Sequence, residues 1–101
     1  MNQNQYISNA FSLQMLGNIE KADISVEKID GISDEVKSSA TSVVGHIDTA
    51  NVLGVKFNRV SLTLEKGDVL YVAQLVGGRL PEGSTTLPEG FRFVWFKVTI
   101  K

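Results

Sequence analysis

One histidine, His46, stands at a point of the sequence that suits proton-transfer chemistry. Histidine is the side chain that exchanges a proton most readily near neutral pH. His46 and Gly45 end an apolar, β-branched run, and Asp48 follows at a predicted helix start. In open α/β sheets, ligands bind where strands end, and helix N-termini present N–H groups to phosphates. The alternative interpretation is a structural or surface histidine.

Three further groups of side chains could take part in chemistry. Arg79 and Glu82 lie three residues apart in a segment rich in glycine and proline. A loop that carries a cation and a carboxylate is a common catalytic lid, and it is as often a solvated loop with a weak ion pair. The run from Asn9 to Ser12 follows a predicted strand, so it predicts a helix cap or groups that hold a phosphate or ribose. Arg59 begins another predicted strand, where its alternative interpretation is a surface cation.

Short strands and helices alternate through the first half of the chain and would position these residues. The alternation of apolar residues and β-branched content predict strands at Gln5–Asn9, Asp23–Ile29 and Thr41–His46, the last a central strand. Capping residues predict three short helices: one between Ser12 and Gly17, one opened by Ser33-Asp34-Glu35, and one over Thr49–Leu53 that Asp48 caps and Gly54 ends.

The pattern of the second half of the chain predicts strands that are joined by turns. Arg59–Leu64 alternates and turns at Glu65-Lys66-Gly67-Asp68 into Val69–Val76, which predicts a hairpin. Gly77–Gly90 predicts a long loop, and Phe91–Ile100 an aromatic-rich closing strand. Its aromatic side chains fit packing better than base stacking; they are Phe91, Phe93, Trp95 and Phe96. The whole pattern favours one α/β domain with a mixed sheet.

Composition excludes several classes of function. The chain has no cysteine and its acidic residues are scattered, so we expect no disulfide, no metal and no cofactor. A net charge of −1 is too low for a protein that follows a nucleic-acid backbone, so neither DNA nor long RNA is an expected partner. No apolar stretch approaches the roughly 18–20 residues that span a bilayer, and the first ten residues lack a signal peptide's features. We therefore expect a cytoplasmic protein without membrane contact.

Four segments, taken together with their order and spacing, are more specific than any one of them alone. They are Asn9-Ala10-Phe11-Ser12-Leu13-Gln14-Met15-Leu16, Val43-Val44-Gly45-His46 with Asp48-Thr49-Ala50, Asn58-Arg59, and Gly78-Arg79-Leu80-Pro81-Glu82-Gly83. On these motifs the chain resembles the viral ring nuclease family, the type III anti-CRISPR proteins of archaeal viruses and phages that degrade cyclic tetra-adenylate. The resemblance spans most of the chain. Family members often continue after the last motif into a helix, whereas Leu87-Pro88-Glu89-Gly90 ends the loop early here.

The resemblance implies a ring nuclease-like domain over residues 1–101, with short helices mainly on one face of the sheet. It also implies a homodimer that binds cyclic tetra-adenylate across its two-fold axis. His46 would be the general acid, Glu82 the catalytic carboxylate and Arg79 a catalytic phosphate contact. The other substrate-binding residues that it implies are Asn9, Ala10, Phe11, Ser12, Gly45, Arg59, Gln74 and Gly78.

The activity that this resemblance implies is metal-independent cleavage to short linear oligoadenylates with 2′,3′-cyclic phosphate ends. Such cleavage would switch off type III CRISPR signalling, in the host cytoplasm if the protein is viral. RNA needs no metal for it, because its own 2′-hydroxyl attacks the neighbouring phosphate. The protein must stabilise negative charge and protonate the departing 5′-oxygen, tasks that suit arginine and histidine. Glu82 could orient the ribose hydroxyl or keep His46 protonated.

Two alternatives of other kinds stay open at this stage. The same pocket could sequester a cyclic nucleotide without cutting it. The chain could also be a small structural or regulatory protein of a virus or mobile element, whose motifs serve folding and dimerisation.

Overall fold

Five strands, one 3₁₀ helix and two α-helices make up the part of the chain, residues 4–17 and 23–101, that a computed structural model describes. The strands are β1 (Gln5–Ser8), β2 (Ile24–Ile29), β3 (Thr41–Ser42), β4 (Val69–Val76) and β5 (Arg92–Ile100). The helices are the 3₁₀ helix Leu13–Leu16, α1 (Asp34–Ser39) and α2 (Ile47–Leu53). The stretches 1–3 and 18–22 of the predicted domain lie outside the described residues.

The strands form one mixed sheet in the order β2-β5-β4-β1-β3. β1 pairs in parallel with both β3 and β4, whereas β5 runs antiparallel to β4 and to β2. The predicted α/β class with a mixed sheet is therefore confirmed. Because β1, β3 and β4 point the same way, their carboxyl ends meet at one edge of the sheet, which is where α/β proteins place ligands.

The two faces of the sheet bury different sets of residues, since alternate residues of a strand point to opposite sides. On the helix face, Ile7 and Tyr71 pack with side chains of α1 and α2 in one buried cluster. On the other side, the open face, Leu70 and Val98 pack with the 3₁₀ helix and with residues 62–64. Both α-helices thus lie on one face, and the 3₁₀ helix covers only part of the other.

Local sequence explains where the α-helices begin and end. Ser33 caps α1 as predicted, because its hydroxyl oxygen accepts a hydrogen bond of 3.2 Å from the Val36 N–H. α2 ends as predicted at Gly54, whose φ of +73° is a left-handed conformation that glycine adopts without strain. The predicted start of α2 is wrong: the helix begins at Ile47, and its N-cap is His46.

The prediction of a central strand over Thr41–His46 is also wrong. β3 has two residues, Thr41–Ser42, and lies at the edge of the sheet. Beyond it, Val44 makes a single parallel bridge to Phe57. The apolar, β-branched run reflects burial rather than a central position, because Val43 and Val44 are both buried while only β1 flanks the strand.

The predicted hairpin between Arg59–Leu64 and Val69–Val76 is not formed. β4 has β1 on one side and β5 on the other, so the sheet offers no place for the preceding segment. The alternating pattern reflects packing instead, since Leu64 is buried in the open-face core. The turn itself is confirmed, because the Asp68 Oδ2 accepts a hydrogen bond of 2.9 Å from the Glu65 N–H.

The structure agrees, fully or in part, with three other predictions. The first helix is present in the 3₁₀ form, and Ser12 precedes it without a side-chain capping bond. The segment 77–90 contains neither helix nor strand, as predicted, and β5 begins one residue after the predicted closing strand. Over the described ranges, no helix has the length and apolar character needed to cross a membrane.

Candidate functional site

Three segments that the sequence singled out meet at the carboxyl edge of the sheet. Asn9 follows β1, His46 follows the extended chain after β3, and Gly78 and Arg79 follow β4. Parallel pairing of β1 with β3 and β4 brings these positions together, although they are up to 70 residues apart in the chain. The topology of the sheet therefore places an amide, an imidazole and a guanidinium at one edge.

These residues line a common cavity of about 330 Å³, here called the strand-end cavity. Its predicted members are Asn9, His46, Gly78 and Arg79, and its other members are Thr49, Leu75 and Leu80. The volume lies at the low end of the ~300–1,000 Å³ of ligand pockets. The cavity thus combines a proton-transfer group and a cation with a partly apolar wall.

The side chain of His46 is held by the first turn of α2. Its Nδ1 accepts a hydrogen bond of 3.2 Å from the Thr49 N–H, which satisfies one of the unpaired donors of the helix start. An imidazole whose Nδ1 accepts carries its proton on Nε2. The sequence predicted a helix start beside His46 that offers N–H groups to a phosphate, and the structure shows that the Thr49 N–H serves the histidine instead.

The Thr49 hydroxyl lies 3.1 Å from the same Nδ1 of His46. A hydroxyl can donate or accept, so it can also accept a hydrogen bond from Nδ1 when that nitrogen is protonated. Thr49 is buried, which fixes the position of both groups. One residue thus provides partners for the imidazole in both of its protonation states.

The loop that carries Arg79 begins with a sharp change of direction after β4. Gly77 has a φ of +123°, and a Cβ there would lie 3.0 Å from the Gly90 carbonyl oxygen, so only glycine fits. Leu80 is buried and anchors the loop behind the exposed Arg79. The loop is therefore fixed at its start and at the residue after the guanidinium.

A second tether joins the loop to α2. The Gly83 N–H donates a hydrogen bond of 3.1 Å to the Asp48 Oδ1, across 35 residues of sequence. Asp48 lies in the first turn of α2, between His46 and Thr49 in the sequence, although it does not itself line the cavity. The adjoining Glu82 is exposed and does not line the strand-end cavity. Its carboxylate belongs to the segment that Asp48 holds beside the histidine.

Three other predicted site residues lie at or beyond the margin of this cavity. Arg59 packs against Gly45, since a Cβ on Gly45 would be 3.4 Å from the Arg59 Cγ. Both therefore lie beside His46, yet neither is among the residues that line the strand-end cavity. Ser12 is exposed and likewise outside that set.

A second cavity, the apolar trough, adjoins the first on the open face and has a volume of about 390 Å³. Four residues that the resemblance implied as substrate contacts line it: Asn9, Ala10, Phe11 and Gln74. Four that the sequence did not single out as site residues complete it: Val26, Val72, Phe96 and Val98. Asn9 lines both cavities, so the strand-end cavity and the apolar trough meet at this residue.

The wall of the trough at the end of β1 is fixed by a buried serine. The Ser8 hydroxyl donates a hydrogen bond of 2.8 Å to the Ala10 carbonyl and accepts one of 3.2 Å from the Ala10 N–H. This turn sets the direction of Asn9, which lies between Ser8 and Ala10.

Elsewhere on the same strand, burial raises the pKa of the Tyr6 phenol, and the carboxylates of Asp68 and Glu65 raise that pKa further.

The sequence analysis placed Asp48 and Thr49 in a motif at the start of α2 but gave neither residue a role in the site. Thr49 lies three residues after the N-cap, the spacing at which a side chain and a backbone N–H meet across a helix start. That signal was available once His46 is taken as the cap. The bond from Gly83 to Asp48 had no signal in the sequence, because it joins a loop and a helix that only the fold brings together.

Comparisons with known proteins show which family and which solved structure this chain is similar to. The family model described as STIV B116-like matches residues 5–97 of the chain. Among solved structures, B116 of Sulfolobus turreted icosahedral virus (STIV) has a similar fold, with a TM-score of 0.69 and 21% sequence identity. The match covers 95% of this chain and 98% of that chain. No curated protein matches the chain. The likeness to a viral protein that the sequence suggested is confirmed, and ring opening stays a prediction.

Proposed function

From the premise that this chain belongs to the STIV B116-like family, we propose that it is a viral, metal-independent ring nuclease that opens cyclic tetra-adenylate. Such an activity would end type III CRISPR signalling in the host cytoplasm. The observation that carries the proposal is the convergence of Asn9, His46 and Arg79 on one small cavity from three separate segments. An amide, an imidazole and a guanidinium suit a phosphodiester with its ribose.

In the proposed reaction, the ribose 2′-oxygen attacks the adjacent phosphorus and the bond from phosphorus to the 5′-oxygen breaks. Arg79 stabilises the negative charge that develops on the phosphate oxygens. His46, when charged, gives its Nε2 proton to the departing 5′-oxygen, and Glu82 accepts the proton that the 2′-hydroxyl loses. During this transfer the Nδ1 proton of the imidazole can donate a hydrogen bond to the Thr49 hydroxyl oxygen, which lies 3.1 Å away. The products end in a 2′,3′-cyclic phosphate.

Two copies of the chain would share one ring in this proposal. A ring of four nucleotides is larger than a cavity of about 330 Å³, so one cavity can enclose only part of it. An isologous dimer presents every group twice around a two-fold axis, and cyclic tetra-adenylate has matching symmetry. A single histidine per chain then supplies two imidazoles per ring.

The variant His46→Asn tests the general acid with the helix cap retained, because asparagine is a favoured N-cap residue. We expect ring opening to fall by about 10²–10⁴-fold, the usual contribution of general acid catalysis. Binding of cyclic tetra-adenylate and thermal stability should change little, and His46→Ala should lose the same activity with some stability as well. Cyclic tri-, tetra- and hexa-adenylate are incubated with each variant and the products identified by mass spectrometry. Cleavage by His46→Asn at the wild-type rate would contradict the role of His46.

Counting turnovers and measuring melting temperatures separate the proposal from its two alternatives. A protein that only sequesters the ring stops at stoichiometric capture, whereas an enzyme gives many turnovers. A structural protein shows no ligand-dependent rise in melting temperature, which any binding to the native state must produce.

A further inference from the structure

The aromatic ring of Phe91 lies against the two glycines that follow β4, Gly77-Gly78, here called the glycine turn. The ladder between β4 and β5 ends at the pair Val76 and Arg92, and Gly77 and Phe91 lie just beyond it. A Cβ on Gly77 would be 3.2 Å from the Phe91 Cγ, and a Cβ on Gly78 would be 3.5 Å from the Phe91 Cζ. The ring therefore spans both residues of the glycine turn.

Phe91 is held in this position by the turn that precedes β5. Its N–H donates a hydrogen bond of 3.1 Å to the Pro88 carbonyl oxygen, and Gly90 between them has a φ of +84°. The ring is partly buried, and among the described residues it belongs to neither of the two buried clusters of the core. Its packing therefore serves the glycine turn rather than the core of the sheet.

The glycine turn needs such support because Arg79 follows it directly. Gly77 and Gly78 have φ angles of +123° and +130°, and glycine loses more conformational freedom on ordering than any other residue. An aromatic ring that packs on glycine supplies the contacts that the missing side chain cannot make. Leu80 is buried on the far side of Arg79, so the guanidinium is carried by a segment that is held at both ends.

We propose that Phe91 is a positioning residue for Arg79, because its ring fixes the glycine turn and thereby holds the guanidinium at the strand-end cavity. This inference rests on the proposed function for the task of the guanidinium, and on the contacts with the glycine turn for its position. The sequence interpreted this loop as a catalytic lid. A loop held at its base is instead a preformed wall, and a cation placed in advance stabilises developing charge without a cost of rearrangement.

A double-mutant cycle tests whether Phe91 acts through Arg79. The variants are Phe91→Ala, Arg79→Ala and the double variant, and kcat/KM is measured with cyclic tetra-adenylate. We expect Phe91→Ala alone to lower kcat/KM by about tenfold, since a misplacement of about 1 Å can cost on the order of 10²-fold. In the Arg79→Ala background the same change should cost nothing further, because the group that it positions is absent. Equal losses in both backgrounds would overturn the inference.

A matched pair of milder variants keeps the test valid if Phe91→Ala folds poorly. Phe93 is the next phenylalanine of β5 on the same face and is also partly buried, but its ring packs with Trp95 at a centroid distance of 6.4 Å. Phe91→Leu should lower kcat/KM, and Phe93→Leu should leave it unchanged at a temperature where both variants are folded. An equal fall in the two variants would assign Phe91 to general packing and overturn the inference.

Nuclear magnetic relaxation of the Gly78 and Arg79 amides tests the same inference without any activity. We expect order parameters of about 0.85 in the wild type and in Phe93→Leu, and values below about 0.6 in Phe91→Ala. A glycine turn that is already flexible in the wild type, or that stays rigid in Phe91→Ala, would overturn the inference and leave the nuclease proposal standing. A rigid turn that Phe91→Ala releases, in a protein that opens no ring, would reject the nuclease proposal and support the position assigned to Phe91.

Discussion

The helix face and the open face of the sheet are built from alternate residues of the same strands, yet they are covered very differently. On the helix face, α1 and α2 enclose Ile7 and Val44 completely. On the open face, the 3₁₀ helix and residues 62–64 cover the part around Leu70, while Val26 and Phe96 line an accessible trough. Both faces therefore hold a buried apolar cluster, and the open face also keeps apolar surface accessible at Val26 and Phe96.

The difference indicates a division of work between stability and recognition. Apolar area removed from water contributes to folding roughly in proportion to its size, and both faces contribute, because each holds a buried apolar cluster. The open face leaves apolar surface accessible beside the strand-end cavity, where a ligand rather than the chain itself would cover it. α2 belongs to both regions, because it packs on the helix face and its first turn holds His46.

The largest expected effect in this comparison is on stability. Ile7→Ala should lower the free energy of unfolding by about 3 kcal/mol, since it removes a fully buried side chain from the helix-face core. Val26→Ala on the open face should change it by no more than about 0.5 kcal/mol, because the side chain is 59% exposed. Urea denaturation measures both. An equal loss for Val26→Ala would mean that the open face is covered in solution, against the division drawn here.

A smaller effect, on activity alone, is expected at Thr49. Thr49→Val keeps the backbone N–H that donates to the capping His46 side chain and removes the hydroxyl that lies 3.1 Å from the His46 Nδ1. We expect ring opening to slow by about tenfold, the factor that follows from losing roughly 1.4 kcal/mol of a hydrogen bond to a charged group. Thr49→Ser should restore the rate. Failure of Thr49→Ser to restore the rate would assign Thr49 to packing.

The smallest effect is expected at the tether between the loop and α2. Asp48→Ala removes the acceptor of the Gly83 N–H, so the loop that carries Arg79 and Glu82 should be held less firmly. We expect a two- to fivefold rise in KM, consistent with roughly 0.5–1 kcal/mol for one exposed hydrogen bond. Asp48→Asn keeps an oxygen at this position and is the matched control. An equal effect of Asp48→Asn and Asp48→Ala would indicate that the charge of Asp48, not the tether, matters.

Sequence patterns predicted the parts of this fold that depend on local interactions. Ser33 and Gly54 marked helix ends correctly because capping and left-handed conformations act within a few residues. The sequence also selected Asn9, His46 and Arg79, which the sheet brings to one cavity. Their roles in binding and catalysis stay predictions, as does the homodimer.

Apart from the start of α2, where the capping residue is His46 and not Asp48, the errors arose where the partner of a segment is distant in the chain. Arg59–Leu64 alternates as a strand does, yet Leu64 packs against the 3₁₀ helix region because both edges of β4 are occupied. β3 has two residues and lies at the edge of the sheet, a position that the sequence pattern did not reveal. The trough was missed for a related reason, since Val26 and Phe96 become neighbours of Asn9 only through the order of the strands.

The central claim is that the strand-end cavity opens a cyclic oligoadenylate with side chains alone. The most direct measurement is the number of rings opened per protein molecule when excess cyclic tetra-adenylate is incubated with the chain in EDTA. We predict many turnovers, with linear products that end in 2′,3′-cyclic phosphate. Intact rings after incubation, or cleavage only after Mg²⁺ or Mn²⁺ is restored, would contradict the claim.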